Sequence, residues 1–111
     1  MGVNVQEKDG ITLCYISGEI DINTAPDVKK ALDKVVAARK PKILINFKDV
    51  SYVDSSGLAT LVELLKNTRT YGARLKFSNL SAKIHNLFEI TRLEKLFEIE
   101  ADEKDALAGF A

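Results

Sequence analysis

The chain has 111 residues, enough to bury one hydrophobic core but too few for a core plus a separate catalytic domain, so we expect one domain over residues 1–111. Its 16 Lys and Arg residues balance its 16 Asp and Glu residues, and no overall charge therefore draws it to nucleic acid or an anionic membrane. No apolar run approaches the roughly 20 residues of a membrane-spanning helix, so we expect no direct membrane insertion. The N-terminus lacks a signal-peptide pattern, and the single cysteine, Cys14, makes an intramolecular disulfide impossible. Together these features predict a cytoplasmic location.

The first third of the chain predicts a hairpin followed by a helix. Val3 and Val5 begin an extended segment, and Asp9-Gly10 is typical of a two-residue hairpin turn. Residues 11–17 then alternate as a second strand, with Ile11, Leu13 and Tyr15 on one side and Cys14 and Ile16 on the other. Thr24 is expected to cap the first helix, which has Pro26 in its first turn and ends near residues 39–40.

The rest of the chain alternates strands with helices. Residues 42–47 form a short apolar strand, and residues 58–65 have the spacing of a helix that ends near Tyr71-Gly72. Residues 74–78 and 96–99 read as further strands, and Ser81 and Asp102 are expected to cap the two last helices, one after each strand. Because every strand after the hairpin is followed by a helix, the sequence predicts an α/β fold. We expect one domain with about five strands in a mostly parallel sheet, an N-terminal hairpin and four helices.

The residues needed for common catalytic and metal sites are missing from the sequence. His85 is the only histidine and is expected to be a surface or packing residue, while Cys14 is expected to be a small buried apolar residue. No Cys and His cluster with zinc-ligand spacing, no phosphate-binding glycine loop and no serine-hydrolase motif occurs. We therefore expect no metal, no cofactor and no enzyme activity.

Two loops at the ends of neighbouring strands carry the remaining polar residues. Residues 17–23 leave the second strand and include Glu19, Asp21 and Asn23; residues 49–57 leave the third strand. Both loops should emerge beyond the carboxyl ends of parallel strands, where open α/β sheets place ligands and partners. The alternative interpretation of Glu19 and Asp21 is a solvated turn.

Two adjacent hydroxyls, Ser55 and Ser56, fall where the second of these loops meets a helix N-terminus. That end of a helix tolerates a phosphate, because its N–H groups are unpaired and carry a partial positive charge. We expect one of the two serines to be the N-cap, and we expect Gly57 to leave room for another molecule beside Ser56. The pattern predicts a serine phosphorylation switch.

Three segments carry a resemblance to a known family. Gly18-Glu19-Ile20-Asp21 with Thr24, then Val53-Asp54-Ser55-Ser56-Gly57-Leu58, then Thr91-Arg92-Leu93 before Phe97 and Ile99 resemble the STAS domain of bacterial anti-sigma-factor antagonists. The resemblance spans nearly the whole chain, and its Asp-Ser-Ser-Gly-Leu segment is the specific part.

The resemblance implies a partner and a switch. The partner would be a serine-kinase anti-sigma factor, which the unphosphorylated antagonist captures so that a sigma factor is released. The kinase would phosphorylate Ser56, with Ser55 as the alternative acceptor, and a phosphatase would reset the switch. The residues expected to bind the partner are Glu19, Asp21, Asn23, Asp54, Ser55, Ser56, Gly57 and Leu58. The alternative that the resemblance leaves open is a small STAS subunit of a lipid-transport or stressosome-type complex, acting as an interaction module.

Overall fold

A computed structural model describes residues 2–110, which form one five-stranded sheet and four α-helices. The strands are β1 (Gly2–Lys8), β2 (Ile11–Ile20), β3 (Lys42–Val53), β4 (Arg74–Ser78) and β5 (Glu98–Glu100). The helices are α1 (Ala25–Ala37), α2 (Ser55–Arg69), α3 (Ala82–Ile90) and α4 (Glu103–Ala108), and a 3₁₀ turn, Leu93–Lys95, precedes β5. None of the helices within residues 2–110 is long and apolar enough to cross a membrane.

The sheet has the strand order β1-β2-β3-β4-β5, with β1 antiparallel to β2 and all other neighbours parallel. The hairpin turn is at Asp9 and Gly10, which both have positive φ, 52° and 79°, as a tight hairpin of matching twist requires. The predicted α/β class, the hairpin and the mostly parallel sheet are confirmed. The carboxyl ends of β2, β3 and β4 consequently meet at one edge of the sheet.

The two faces of the sheet carry two separate hydrophobic clusters, as the alternation in β2 predicts. Cys14 and Ile16 belong to the larger cluster, which α1, α2 and α3 cover. Ile11 and Leu13 belong to the smaller one, under α4, and Tyr15 packs against it. Cys14 is fully buried, and this burial raises the pKa of its thiol to about 12, so the thiol is held in its unreactive protonated form.

The two neighbouring strands β2 and β3 are longer than the sequence suggests, and this corrects the predicted ends at Ser17 and Phe47. The pairing register shifts between Tyr15 and Ser17 and again between Gly18 and Glu19, and at each shift β3 has one extra residue. Such bulges break the alternation of polar and apolar residues, so the polar second half of β3 resembles a loop. Most of the predicted 49–57 loop is therefore strand.

The helix starts agree with the sequence at α3 and α4. Ser81 Oγ accepts a hydrogen bond from Ile84 N at 3.2 Å, and an Asp102 carboxylate oxygen accepts one from Asp105 N at 2.8 Å. Thr24 occupies the N-cap position of α1, but its side chain makes no cap hydrogen bond to the helix. A second correction concerns β5, which begins at Glu98 rather than at residue 96, because Leu96 closes the 3₁₀ turn as its C-cap and Phe97 lies in a bend.

Candidate functional site

Asp54 caps α2, so the prediction that Ser55 or Ser56 is the N-cap is wrong. Asp54 has an extended backbone, with φ −101° and ψ −172°, and its Oδ1 accepts a hydrogen bond from Gly57 N at 3.0 Å. Asp and Ser are equally good caps, and the carboxylate one residue earlier takes the cap position here. Ser55 and Ser56 are thereby the first two residues of the helix, with side chains that are not needed to start it.

The same carboxylate joins the two loops that the sequence predicts to be neighbours. Asp54 Oδ2 accepts a hydrogen bond from Ile22 N at 3.1 Å, and Asp54 N donates to Ile20 O at 3.1 Å. Both oxygens of Asp54 are thus bonded to backbone N–H groups, one in α2 and one in the segment between β2 and α1. The expected proximity of the two loops is confirmed, and Asp54 fixes their relative position.

The segment between β2 and α1 is held by Asp21 and Thr24. Asp21 Oδ1 accepts hydrogen bonds from Asn23 N at 2.9 Å and from Thr24 N at 3.0 Å. Thr24 Oγ1 accepts from Asp21 N at 2.9 Å and donates to Glu19 O at 2.7 Å. Asp21 therefore has a structural role that its sequence context does not predict, although its half-exposed side chain remains at the surface. The side chains of Glu19 and Asn23 are exposed on either side of it.

Gly57 brings α2 against the end of β2, and this corrects the expectation that it opens space beside Ser56. A Cβ atom at Gly57 would lie 2.5 Å from Ile20 O and 2.9 Å from side-chain atoms of Ile20 and Val53. Gly57 is buried, so it cannot itself form part of a contact surface. Its role is close packing: because Gly57 has no side chain, the first turn of α2 fits against the ends of β2 and β3.

The two serines differ in exposure and in direction. Ser55 is exposed and lies on the side of α2 that faces α3, together with Leu58. Ser56 is half-buried and lies on a different side of α2, which it shares with Thr60 and Glu63 at the i, i+4 and i+7 spacing of one helix face. Within residues 2–110 neither serine hydroxyl makes a hydrogen bond, so both are free to react or to contact a partner.

The face of α2 that carries Ser56 is turned toward α1. Glu63 forms an ion pair with Lys29 of α1, with Oε1 and Nζ 2.9 Å apart. Ser56, two turns earlier on the same face, is therefore directed toward the side of the site where α1 begins and where Asp21 lies. The structure thus gathers Glu19, Asp21, Asn23, Asp54 and Ser56 at one edge of the sheet.

An apolar groove of about 640 Å³ lies beside Ser55, between the start of α2 and α3. It is lined by Tyr52, Val53, Asp54, Ser55, Leu58, Lys83, Ile84, Asn86, Leu87, Ile90 and Thr91. Two of these apolar side chains are well exposed, Ile90 at 72% and Tyr52 at 42%. The α3 side of this groove is not predicted from the sequence; the one signal is an isoleucine at the end of a helix whose other apolar residues already fill one face.

His85, predicted to be a surface or packing residue, lies half-exposed on α3. Its Nδ1 is 2.8 Å from Glu89 Oε1, one helical turn away. Its ring does not line the groove. The expectation for His85 is confirmed, and its ring lies outside the candidate site.

Comparisons with known proteins identify the family of the chain. The STAS domain family model matches residues 2–106. The anti-sigma-B factor antagonist of Bacillus subtilis (strain 168) is 36% identical over 101 residues, which cover 91% of this chain and 92% of that protein. The crystal structure of an anti-sigma factor antagonist from Mycobacterium paratuberculosis superposes with a TM-score of 0.90 at 27% identity, covering 97% of this chain and 92% of that one.

A third comparison concerns the fold alone. SpoIIAA, a cell fate determinant from Bacillus solved in its phosphorylated form, superposes with a TM-score of 0.76 at 17% identity, covering 99% of this chain and 100% of that one. The family resemblance drawn from the three sequence segments is confirmed by the family match and by the named relatives. The chain belongs to the STAS domain family.

Proposed function

We propose that this protein is an anti-sigma-factor antagonist that binds a serine-kinase anti-sigma factor in its unphosphorylated form and is switched off when the kinase phosphorylates Ser56. The names of the relatives support the antagonist part of this proposal. The switch is supported by one observation above all: Ser56 presents an unbonded hydroxyl on the first turn of a helix whose start is fixed by Asp54.

Ser56 is favoured over Ser55 as the acceptor for two reasons. It is the serine directly before the glycine, which is the position that the family resemblance implies. It also lies on the face of α2 directed toward Asp21, whereas Ser55 lines the apolar groove. A phosphate on Ser56 would consequently add its charge to the acidic side of the site, where a bound partner would meet it.

The expected effect of phosphorylation is on the interface and not on the fold. A phosphate adds about −1.5 to −2 charge close to the carboxylates of Asp54 and Asp21. The N-terminus of α2 offsets part of that repulsion, by roughly 0.3–1 kcal/mol for an exposed charge. The hydrogen bonds that fix the loops come from Asp54 and Asp21 and leave the Ser56 hydroxyl out, so they survive the modification. A partner that contacts this surface then meets added charge and added bulk.

The protein acts in this scheme as a substrate and a binding module rather than as a catalyst. The partner kinase supplies ATP, Mg²⁺ and the catalytic base. A phosphatase removes the phosphate and restores binding. The reaction takes place in the cytoplasm and involves neither nucleic acid nor membrane insertion of this chain.

A labelling experiment tests the proposal. The protein is incubated with ATP and each candidate anti-sigma kinase from its own genome, and the modified residue is mapped by mass spectrometry. We expect Ser56→Ala to abolish labelling while Ser55→Ala, the matched control one residue away, retains it. Labelling lost in Ser55→Ala and kept in Ser56→Ala would refute the choice of acceptor, and no labelling by any such kinase would refute the switch.

The alternative function is that of a small STAS subunit in a lipid-transport or stressosome-type complex. One observation favours it: Asp54, Gly57 and the strand ends explain the Asp-Ser-Ser-Gly segment as a tightly packed helix start, even without phosphorylation. This alternative predicts that partner affinity does not depend on a charge at Ser56. Binding measured with Ser56→Asp separates the two functions, because the switch requires weaker binding.

A further inference from the structure

We propose that β1 pairs with the β1 strand of a second copy of this chain, so that two five-stranded sheets join into one continuous sheet about a two-fold axis at Val5. This inference goes beyond the proposed function and does not involve Ser56. It starts from a difference between the two edges of the sheet, because an unprotected edge strand offers unpaired N–H and C=O groups to another strand.

The two edge strands differ in length, charge and regularity. β5 has three residues and carries a glutamate at each end, Glu98 and Glu100, and a short charged edge resists pairing. β1 has seven residues, contains no proline, and pairs with β2 from end to end without a register shift. No charged side chain precedes Glu7 in this strand. β1 therefore lacks the features that keep an edge strand from pairing.

The hairpin turn determines which backbone groups of β1 face outward. Lys8 and Ile11 flank the two-residue turn, and the closing pair of such a hairpin exchanges both of its hydrogen bonds. Bonded and unbonded pairs alternate along an antiparallel ladder, so the N–H and C=O groups of Val3, Val5 and Glu7 point away from β2. A two-fold axis at Val5 places Val5 opposite its own copy and Val3 opposite Glu7 of the second copy. Each of these pairs exchanges two bonds, which gives about six hydrogen bonds across the seam.

The side chains of β1 are complementary to themselves in this register. Val5 is 46% exposed and, together with Val3 and Ala31, lines a mostly apolar groove of about 400 Å³ between β1 and α1. Two Val5 side chains next to each other at the axis cover part of this groove, and β-branched pairs across strands stabilise a sheet. On the other face of the sheet Asn4 lies opposite Gln6, so amides meet amides and no like charges are opposed.

The charges of α1 are complementary across the same axis. α1 packs over β1 and β2, so the two copies of α1 would lie two strand spacings apart, about 10 Å, which is an ordinary helix packing distance. Ala31 and Lys34 line the groove, and Asp27 shares their side of α1 at i, i+4 and i+7 spacing. Because the axis reverses the second helix, Asp27 of one copy faces Lys34 of the other. Both side chains are exposed, and neither forms an ion pair within residues 2–110.

The size of the seam sets the strength of the association. Seven strand residues span about 24 Å, and a sheet layer with a helix layer is about 20 Å high, so each copy would bury about 500 Å². A standard stable interface buries about 800 Å² on each partner, so we expect a reversible dimer in the micromolar range or weaker. The two-fold axis directs the two Ser56 edges toward opposite ends of the joined sheet and leaves both accessible.

A charge exchange at the axis tests the pairing by sedimentation equilibrium at protein concentrations up to about 1 mM. Val5→Lys and Val5→Glu each oppose two like charges at the axis, and each is expected to weaken dimerisation at least tenfold. An equimolar mixture of the two variants should recover it, because lysine then faces glutamate. Leu96→Lys is the matched control, since Leu96 is also 46% exposed and lies outside β1, and it should stay within twofold of wild type. Thermal unfolding verifies that each variant is folded.

Disulfide trapping tests the register. The bonded pair at the axis has its Cα atoms about 5.5 Å apart, within the range of a disulfide, so Val5→Cys should cross-link two copies on oxidation. Asn4→Cys should not, because position 4 faces Gln6 and the two cysteines would be diagonal neighbours about 7–8 Å apart. Both variants carry Cys14→Ala, since Val5 already lies opposite Cys14 within its own hairpin.

The outcomes decide the proposal. A wild-type protein that stays monomeric at about 1 mM overturns it, and so does a dimer that Val5→Lys leaves unchanged. If the chain is monomeric and Val5→Lys instead weakens binding of the kinase that labels Ser56, the edge belongs to the kinase and the second copy is refuted. If Asn4→Cys cross-links as readily as Val5→Cys, the register centred on Val5 is wrong. Recovery of the dimer in the mixture of Val5→Lys and Val5→Glu supports the pairing.

Discussion

The packing of Gly57 predicts that Gly57→Ala destabilises the protein, even though alanine is the better helix former. The added Cβ would lie 2.5 Å from Ile20 O, whereas carbon and oxygen atoms normally approach to about 3.3 Å, so the start of α2 must move by about 0.8 Å. The hydrogen bonds from Asp54 N to Ile20 O and from Ile22 N to Asp54 Oδ2, both 3.1 Å, lie across this junction and lengthen with it.

The net cost follows from three contributions. Overpacking of this kind costs about 1–3 kcal/mol, and each loosened hydrogen bond costs about 0.5–1.5 kcal/mol. The higher helix propensity of alanine returns up to about 1 kcal/mol. Because the two hydrogen bonds are lengthened rather than lost, they count at the low end, about 1 kcal/mol together, and with overpacking near the middle of its range we expect Gly57→Ala to lower the free energy of unfolding by about 2–3 kcal/mol. At about 2.1 cal/mol/K of unfolding entropy per residue, this lowers the Tm by about 9–13 °C.

The assay is thermal and denaturant unfolding of Gly57→Ala beside Gly2→Ala. A Cβ at Gly2 would meet Ser17 Oγ at an ordinary 3.6 Å, so this control should change the free energy of unfolding by less than about 0.5 kcal/mol. Gly57→Ala should also slow labelling of Ser56, because the hydroxyl moves with the first turn of α2. If the two variants are equally stable, the close packing of α2 against β2 does not have the energetic role given to it here.

Four further results are expected. Asp54→Ala should destabilise the protein by about 2 kcal/mol in denaturant unfolding, since two backbone N–H groups lose their acceptor, and a loss below about 0.5 kcal/mol would contradict its bridging role. Asp21→Ala should lower the free energy of unfolding by about 1 kcal/mol, and also weaken partner binding; a change in neither would remove Asp21 from the site. Ser56→Asp should leave the unfolding free energy within about 1 kcal/mol of wild type while weakening kinase binding, which thermal unfolding and titration measure together. The hydrogen bonds from the Arg74 guanidinium hold the pKa of Glu98 below its ordinary value. This ion pair therefore stabilises the folded protein at pH values above the usual glutamate pKa of about 4. The stabilisation is lost as the pH falls through the lowered pKa. The stability difference between wild type and Glu98→Gln should therefore shrink in that acidic range, and a difference independent of pH would contradict the linkage.

The sequence predicted those features that depend on local patterns. Alternation in the second strand placed Cys14 and Leu13 on opposite faces of the sheet correctly, and a single polar residue before an apolar pattern identified the caps Ser81 and Asp102. The region around Asp54 was harder, because three consecutive residues there are all good caps. Only the backbone, extended at Asp54, decides which of them takes the position.

The features that the sequence missed depend on contacts between distant elements. The second half of β3 is bulged, so its pattern follows the pairing with β2 rather than its own alternation. A glycine in a sequence shows that a side chain is absent, but only the packed structure shows that Ile20 and Val53 fill the space at Gly57. The groove likewise depends on where the core places α3, whose Phe88 packs against Phe77 of β4 with ring centres 6.0 Å apart.

The central claim is that a phosphate on Ser56 changes the interface and leaves the fold intact. The most direct test is to titrate one anti-sigma kinase with the unphosphorylated protein and with protein phosphorylated stoichiometrically on Ser56, and to record the thermal unfolding of both forms. We expect overlapping unfolding curves and an affinity at least about tenfold weaker for the phosphorylated form, equivalent to about 1.4 kcal/mol. Equal affinities for the two forms would contradict the switch, and unfolding of the phosphorylated form at a much lower temperature would contradict the claim that the fold survives.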